Sequence, residues 1–207
     1  MPPPFAPPVV LEGHGVRLEP MEVGHEAGLR EAATGIQIQV YMSVPEPENA
    51  VGYIKAALAE REKGVRQPFV VRELAGGQIV GSTSYHDIIP EVRRVEIGYT
   101  WYGRNWQRTY VNTACKWLLL EHAFETLNCS VVGWRTDILN LISQAAIERL
   151  GAKKDGVIRR LKLRRDGTIR DTVVYSMTDE EWRSGGQSHV FGLLHAPRSA
   201  SGQPPGR

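Results

Sequence analysis

Between Pro68 and Leu127 the hydrophobic period of the chain switches once, from two to about 3.6, and this constrains the architecture more than any other feature. Pro68–Leu74 and Gln78–His86 are runs rich in β-branched residues separated by Ala75-Gly76-Gly77, and a third run, Arg94–Tyr102, follows. Such runs joined by short turns make an antiparallel meander. Thr109–Leu127 then reads as one long helix. Cys115, Leu118, Leu119 and His122 fall at i, i+3, i+4, i+7 along one face, so the helix must be largely buried.

The flanking segments extend the pattern. Val16–Glu19 reads as an earlier strand, and Glu22–Ala33 and Asn49–Lys63 read as helices, the second placed after the breakers Pro45 and Pro47. Beyond the long helix lie a strand at Ser130–Thr136 and a helix at Asn140–Leu150, capped by Asn140 and stopped by Gly151. Val157–Leu163 and Ile169–Met177 flank Arg165-Asp166-Gly167-Thr168, a hairpin signal, and Thr178-Asp179-Glu180-Glu181 has the capping-box pattern of a short helix carrying Trp182. This order predicts an α+β fold: a mixed, mostly antiparallel sheet of about seven strands with helices on both faces.

The 207 residues, 42% hydrophobic and 23% charged, fit one folded domain. Residues 1–8, rich in proline, read as a disordered arm, 9–183 as the domain, and 184–207, rich in Gly, Ser and Pro, as a flexible tail in which Val190–Leu194 could dock. A net charge of +2 argues against a dedicated nucleic-acid binder. No apolar run is long enough to cross a bilayer, and Met1–Pro8 lacks the basic start and apolar stretch of a signal peptide, so a cytoplasmic protein is expected. Cys115 and Cys129 have no partner at metal-ligand spacing, which predicts neither disulfide nor metal.

The junction between the strand Arg94–Tyr102 and the long helix is the first place where chemistry could sit. A helix N-terminus offers unpaired N–H groups and the positive end of a dipole, and Gln107, Arg108, Thr109, Asn112 and Thr113 surround it with donors. It can cradle a phosphate, or Thr109 and Asn112 can simply cap the helix while Arg104 and Arg108 remain solvated. Lys153, Lys154, Arg159, Arg160, Lys162, Arg164, Arg165 and Arg170 concentrate charge near the last hairpin. They read either as a solvated strand face with Leu161 and Leu163 inside, or as a patch for an anionic substrate, a phosphate or RNA.

Several pieces, in their order, resemble the GNAT superfamily of N-acetyltransferases, especially its RimJ/RimL-like branch. They are Val95-Glu-Ile-Gly-Tyr-Thr-Trp101, Trp106-Gln-Arg-Thr-Tyr-Val-Asn-Thr113, Leu118-Leu-Leu-Glu-His-Ala-Phe124, Arg135-Thr-Asp-Ile-Leu-Asn140, Ser143–Gly151 and Asp166–Ser176. The resemblance implies a splay between the fourth and fifth strands holding acetyl-CoA. The pantetheine arm would run beside Thr100, Trp101 and Tyr102, and the pyrophosphate would lie over Gln107, Arg108, Thr109, Tyr110, Val111, Asn112 and Thr113. The family's Q/R-x-x-G-x-G/A loop is matched at Gln107, but Tyr110 and Asn112 replace the small residues that let backbone approach phosphate. Ala114 stands where relatives often carry glutamate.

Acetyl transfer to an amine needs a proton acceptor, because an alkylammonium is only about 0.04% neutral at pH 7. Strand parity places Glu96 with Gly98 and Thr100 on one face, which makes Glu96 the candidate base, with a solvated outer-face residue as the alternative. A backbone N–H near Thr100 and Trp101 could meet developing oxyanion charge. Asn140 and Ser143 match the family's N-x-x-S pattern, and Ser143 is the candidate acid toward the thiol, against the alternative of ordinary first-turn residues. His122 and Cys115 read as core packing. The expected activity is acetyl transfer from acetyl-CoA to a primary amine, a protein N-terminus or small molecule, by direct attack in a ternary complex. The alternative is a non-catalytic acyl-CoA-binding or partner-binding module on a degenerate scaffold. A homodimer is left open.

Overall fold

The computed structural model describes residues 5–196. Eight strands make one sheet in the order β1-β2-β3-β4-β5-β6-β8-β7. They are β1 (Leu11–Gly13), β2 (Val16–Pro20), β3 (Arg66–Glu73), β4 (Ile79–Ile89), β5 (Arg94–Tyr102), β6 (Val131–Asp137), β7 (Lys153–Leu163) and β8 (Ile169–Thr178). All neighbours are antiparallel except β5 and β6, joined by the crossover through the long helix. The strand beyond the seven expected is β1, whose three residues pair with β2 around the His14-Gly15 turn and are too few to show an alternating pattern.

The helices are α1 (Glu26–Ala33), α2 (Ala50–Glu62), α3 (Tyr110–Glu121), α4 (Leu141–Arg149), α5 (Asp179–Glu181) and α6 (Gln187–His195). One sheet face, with Leu18, Phe69, Val71, Val95 and Ile97, packs beneath α3 and α6. The other face, with Met21, Val70 and Trp101, meets Leu29 of α1 and Ile54 of α2. Nine of the twelve α3 residues are buried because sheet and α6 enclose it, and the chain continues past Glu121 in a π-type turn through Thr126. Asn140 Oδ1 accepts from Ser143 N at 3.1 Å, and Thr178 and Glu181 form the expected capping box.

Two expectations are corrected. Part of the segment read as a flexible tail is α6, whose Val190 is fully buried and whose Phe191 meets Trp117 at a centroid distance of 5.2 Å. Residues 197–207 of that expected tail, and 1–4 of the expected arm, lie outside the described residues, while Phe5 and Ala6 pack against the core. Leu161 and Leu163 do not face inward. They are 41% and 65% exposed, because β7 pairs only with β8 at the edge of the sheet and every one of its residues is at least partly open.

Candidate active site

β5 and β6 pair only at Arg94↔Val131, Val95↔Val132 and Glu96↔Gly133, after which they diverge. Beyond Glu96 the edge of β5 that faces β6 has no strand partner, and β6 continues toward Asp137 paired only with β8. An unpaired sheet edge inside a fold is an acceptor for an extended ligand with amide groups of its own. The splay expected between the fourth and fifth strands is this gap.

Within the open stretch β5 carries a bulge. Ser84 opposes Gly98 and Ser82 opposes Trp101, so Tyr99 and Thr100 together face the single residue Thr83. Tyr99 takes φ +51°, a left-handed conformation that costs a non-glycine residue of order 1–3 kcal/mol. The guanidinium of Arg66 lies over its ring at 3.6 Å from the centroid, and His86 meets it edge-on at 5.2 Å, which holds the conformer. The bulge overturns the parity read from sequence: Glu96 and Thr100 lie on opposite faces. Thr100 turns toward α3, where its hydroxyl meets Thr83 Oγ1 at 2.8 Å and Lys116 Nζ at 2.8 Å.

Glu96 stands at the last paired position, where the gap opens, and is fully buried. Its Oε1 accepts from Arg94 at 2.8 Å and forms an ion pair with Arg135 at 2.9 Å, while Oε2 is buried without a hydrogen bond. Arg135 also reaches Asp87 at 3.3 Å, and Asp87 accepts from His86 Nδ1 at 3.1 Å, which with Arg135 holds its carboxyl below the usual range. Gly133 leaves room for the Arg94–Glu96 pair, since a Cβ on it would lie 2.6 Å from an Arg94 nitrogen and 3.0 Å from Glu96 Cγ and would displace them. Gly98 likewise leaves room for His86, whose Nε2 would lie 2.2 Å from an added Cβ. His86, Asp87 and Glu96 bring potential metal ligands within 4.8 Å of one another. Two guanidiniums already neutralise these carboxylates, and a dication would meet their repulsion.

At the far end of β5 the chain enters α3. Arg108 takes φ +60°, Thr109 is the N-cap, and its hydroxyl donates to Trp106 O at 2.7 Å and accepts from Val111 N at 3.4 Å. The remaining first-turn amides have no intrahelical acceptor and face outward, where Arg104, Gln107 and Arg108 are exposed and Asn112 is half-buried. Gln107 Nε2 donates to Tyr102 O at 3.1 Å, so its side chain locks the loop. The Tyr110 hydroxyl donates to Gly15 O at 3.3 Å and Glu73 Oε1 at 3.2 Å. These partners sit in the β1–β2 turn and at the end of β3, on the side of β5 away from β6, so the phenol does not enter the gap. Thr113 Oγ1 accepts from Arg149 at 2.9 Å, tying α3 to α4 across the parted strands.

The expected site residues therefore separate. Glu96 stands at the mouth of the gap, Gln107–Thr113 lead into and open α3 after β5, and Asn140 and Ser143 open α4 after β6, while the Thr100 hydroxyl turns to α3. The side chains of Trp101 and Tyr102 are buried in the two cores, so only their backbone borders it. Trp101 donates its Nε1 to Tyr53 Oη at 3.2 Å. Burial pushes the Cys115 thiol up to about 12, in keeping with packing. His122 stacks on Tyr85 at 6.3 Å, burial lowers its pKa, and its Nε2 makes no hydrogen bond, so it is packed but not satisfied. Sequence reasoning missed Lys116, buried on α3 with its pKa lowered to about 8 by desolvation; the signal was a lysine inside an apolar helical run. It also missed Tyr99, Arg66 and Arg135, which reach the site only through the fold.

A mixed sheet with one parallel pair, splayed just past that pair and followed by a helix whose N-terminus adjoins the opening, defines an acyltransferase of the GNAT type. Residues 16–153 match the family model for the acetyltransferase (GNAT) domain, and the chain belongs to this family. It is 27% identical over 132 residues to the uncharacterised N-acetyltransferase YoaA of Bacillus subtilis, covering 63% of this chain and 72% of that one. A GCN5-related N-acetyltransferase from Brucella melitensis superposes with a TM-score of 0.83 at 25% identity, over 97% of this chain and 92% of the other. RimJ of Mycobacterium smegmatis, solved with CoA-disulfide, shares the fold at a TM-score of 0.72 and 18% identity, over 90% and 95% of the two chains.

Proposed function

We propose that this protein transfers an acetyl group from acetyl-CoA to a primary amine by direct attack in a ternary complex, as a RimJ/RimL-like member of its family. The observation that carries the reading is the gap that opens immediately after Glu96 between β5 and β6. The residues fit an acyl-CoA: an unpaired strand edge at Ile97–Tyr102 for the amide-bearing arm, and outward first-turn amides of α3 with exposed Arg104 and Arg108 for the diphosphate. Tyr110 replaces a small residue, yet its phenol is held at Gly15 and Glu73, which leaves the cradle open and weighs against a merely degenerate scaffold.

The bound thioester supplies an activated acetyl group beside the bulge. The bulge frees backbone N–H groups at Tyr99 and Thr100 from regular pairing, and one of them can meet negative charge that develops on the acetyl oxygen. Glu96 holds Arg94 and Arg135 through Oε1 and keeps Oε2 unengaged, so Oε2 can accept the amine proton directly or through one water. Asn140 fixes the first turn of α4 and so presents Ser143, whose hydroxyl can return a proton to the departing thiolate.

A thiol-release assay with acetyl-CoA and a broad amine panel tests the reading. Acceptor-dependent release is expected, and absence of both release and CoA binding overturns it. Glu96→Gln should lower kcat by about 10²-fold or more at neutral pH while leaving acetyl-CoA affinity within about twofold. Equal turnover by variant and parent removes Glu96 from the mechanism.

A further inference from the structure

Beyond Glu96, on the same sheet face, the fold assembles a row of cations. Arg135 and Asp137 lie two residues apart on β6, and Thr172 of β8 is the register partner of Asp137. Arg170 lies two residues before Thr172, and Lys162 of β7 is the register partner of Arg170. Side chains at these spacings share a face, so Arg135, Asp137, Thr172, Arg170 and Lys162 run outward from the reaction gap.

The charges along this row do not balance. Asp137 is taken by Arg164, which donates to it from Nε at 2.7 Å and from Nη2 at 3.1 Å. Arg170 reaches that carboxylate only at 3.7 Å, and its buried Nε has no hydrogen-bond partner. Lys162 forms no ion pair among the described residues. Two like charges directly opposite each other on paired strands repel, which is a cost unless something of opposite sign is brought between them. Partial desolvation and the nearby Arg170 and Arg135 lower the Lys162 pKa, although the side chain stays exposed at the sheet edge. Thr172 is fully buried and its hydroxyl, on the same face, also lacks a partner.

Lys162, Arg164 and Arg170 border a cleft of about 170 Å³ whose opposite wall is Val40–Ser43, from the segment between α1 and α2. Arg165 closes that wall by donating to Val44 O and pairing with Glu46. The row joins the cleft to the gap through Arg135, which pairs with Glu96 at 2.9 Å and lies two residues before Asp137 on β6.

We infer that the acceptor amine carries an oxyanion, a carboxylate or a phosphate, which seats between Lys162 and Arg170 while the amine points toward Glu96. The inference rests on the acetyl-transfer reading for the amine end; the anion seat stands on its own geometry. The volume suits a small headgroup, so the substrate class is a small anionic amine or the acidic end of a short peptide, and Lys162 and Arg170 determine specificity.

Titration calorimetry on the full chain without cofactor tests the seat separately from turnover, using glycylglycine against glycinamide-capped glycine and O-phosphoethanolamine against ethanolamine. The anionic member of at least one pair should bind tenfold or more tighter, and which pair responds identifies carboxylate or phosphate. Lys162→Met and Arg170→Met should each erase most of that preference, and Lys162→Arg should retain it, with melting curves confirming that the variants are folded. Equal binding of charged and neutral members, or a preference that survives both methionine variants, overturns the inference. Thiol release on the same amines reads the other claim: an intact anion preference with no turnover refutes acetyl transfer and leaves the seat standing.

Discussion

Lys116→Met should stabilise the protein at neutral pH, and by an amount that depends on pH in a defined way. Lys116 is 5% exposed, its ammonium has no carboxylate partner among the described residues, and it donates to Thr100 Oγ1 at 2.8 Å and more loosely to Thr83 Oγ1 at 3.4 Å. Burial lowers its pKa from 10.5 to about 8. That difference corresponds to about 3 kcal/mol of penalty for the charged form in the folded state. The two hydroxyl bonds return about 1 kcal/mol each at most, so methionine, of similar length and apolar, should gain roughly 1–2 kcal/mol at pH 7, or about 2–8 °C in Tm. Because the folded pKa lies below the unfolded one, the unfolded chain binds more protons between about pH 8 and 10.5, and parent stability relative to the variant rises across that window. By pH 9.5 the parent should have recovered about 2 kcal/mol. Urea unfolding of both proteins from pH 6.5 to 10, at unchanged m-value, measures this. A stability difference that stays flat over that range would refute the reasoning.

Other consequences of the geometry are as direct. Tyr110→Phe removes the hydroxyl shared by Gly15 and Glu73 and should cost about 1 kcal/mol in urea unfolding while acetyl-CoA affinity stays unchanged; a large loss of affinity would place the phenol in the ligand site. Ending the chain at Ser184 removes α6 from Trp117 and should lower stability by about 2–4 kcal/mol, where a dispensable tail would leave the Tm unmoved. Cys115 and Cys129 are buried, with burial pushing both thiols up to about 12, so neither should react with a disulfide reagent at pH 8 until the chain unfolds; rapid modification of the native protein would contradict the packing.

Much of the fold was legible because the strongest signals are local. Arg94–Tyr102 shows its strand in its β-branched and aromatic residues, and Asn140 and Thr178 announce their helices by side chains that reach only three residues ahead. The site was harder to read. Alternation gave Glu96 and Thr100 a common face, and a single bulged residue at Tyr99 moved everything after it to the other side. The partners of Glu96 illustrate the other limit: Arg94 is a near neighbour, but Arg135 arrives from β6 through a parallel crossover that no local pattern specifies. The anion cleft combines Val40–Ser43 with Lys162 and Arg170, segments more than a hundred residues apart, and the sequence displayed only the excess of cations.

Acetyl transfer by this chain requires an acyl-CoA lying in the opening between β5 and β6, and a crystal structure grown with acetyl-CoA tests that most directly. The diphosphate should contact the amides opening α3, the arm should run along Ile97–Tyr102, and the thioester should end near Thr100 and Glu96. A ligand bound elsewhere, or β6 zipped onto β5 beyond Gly133 with no room between them, would contradict it.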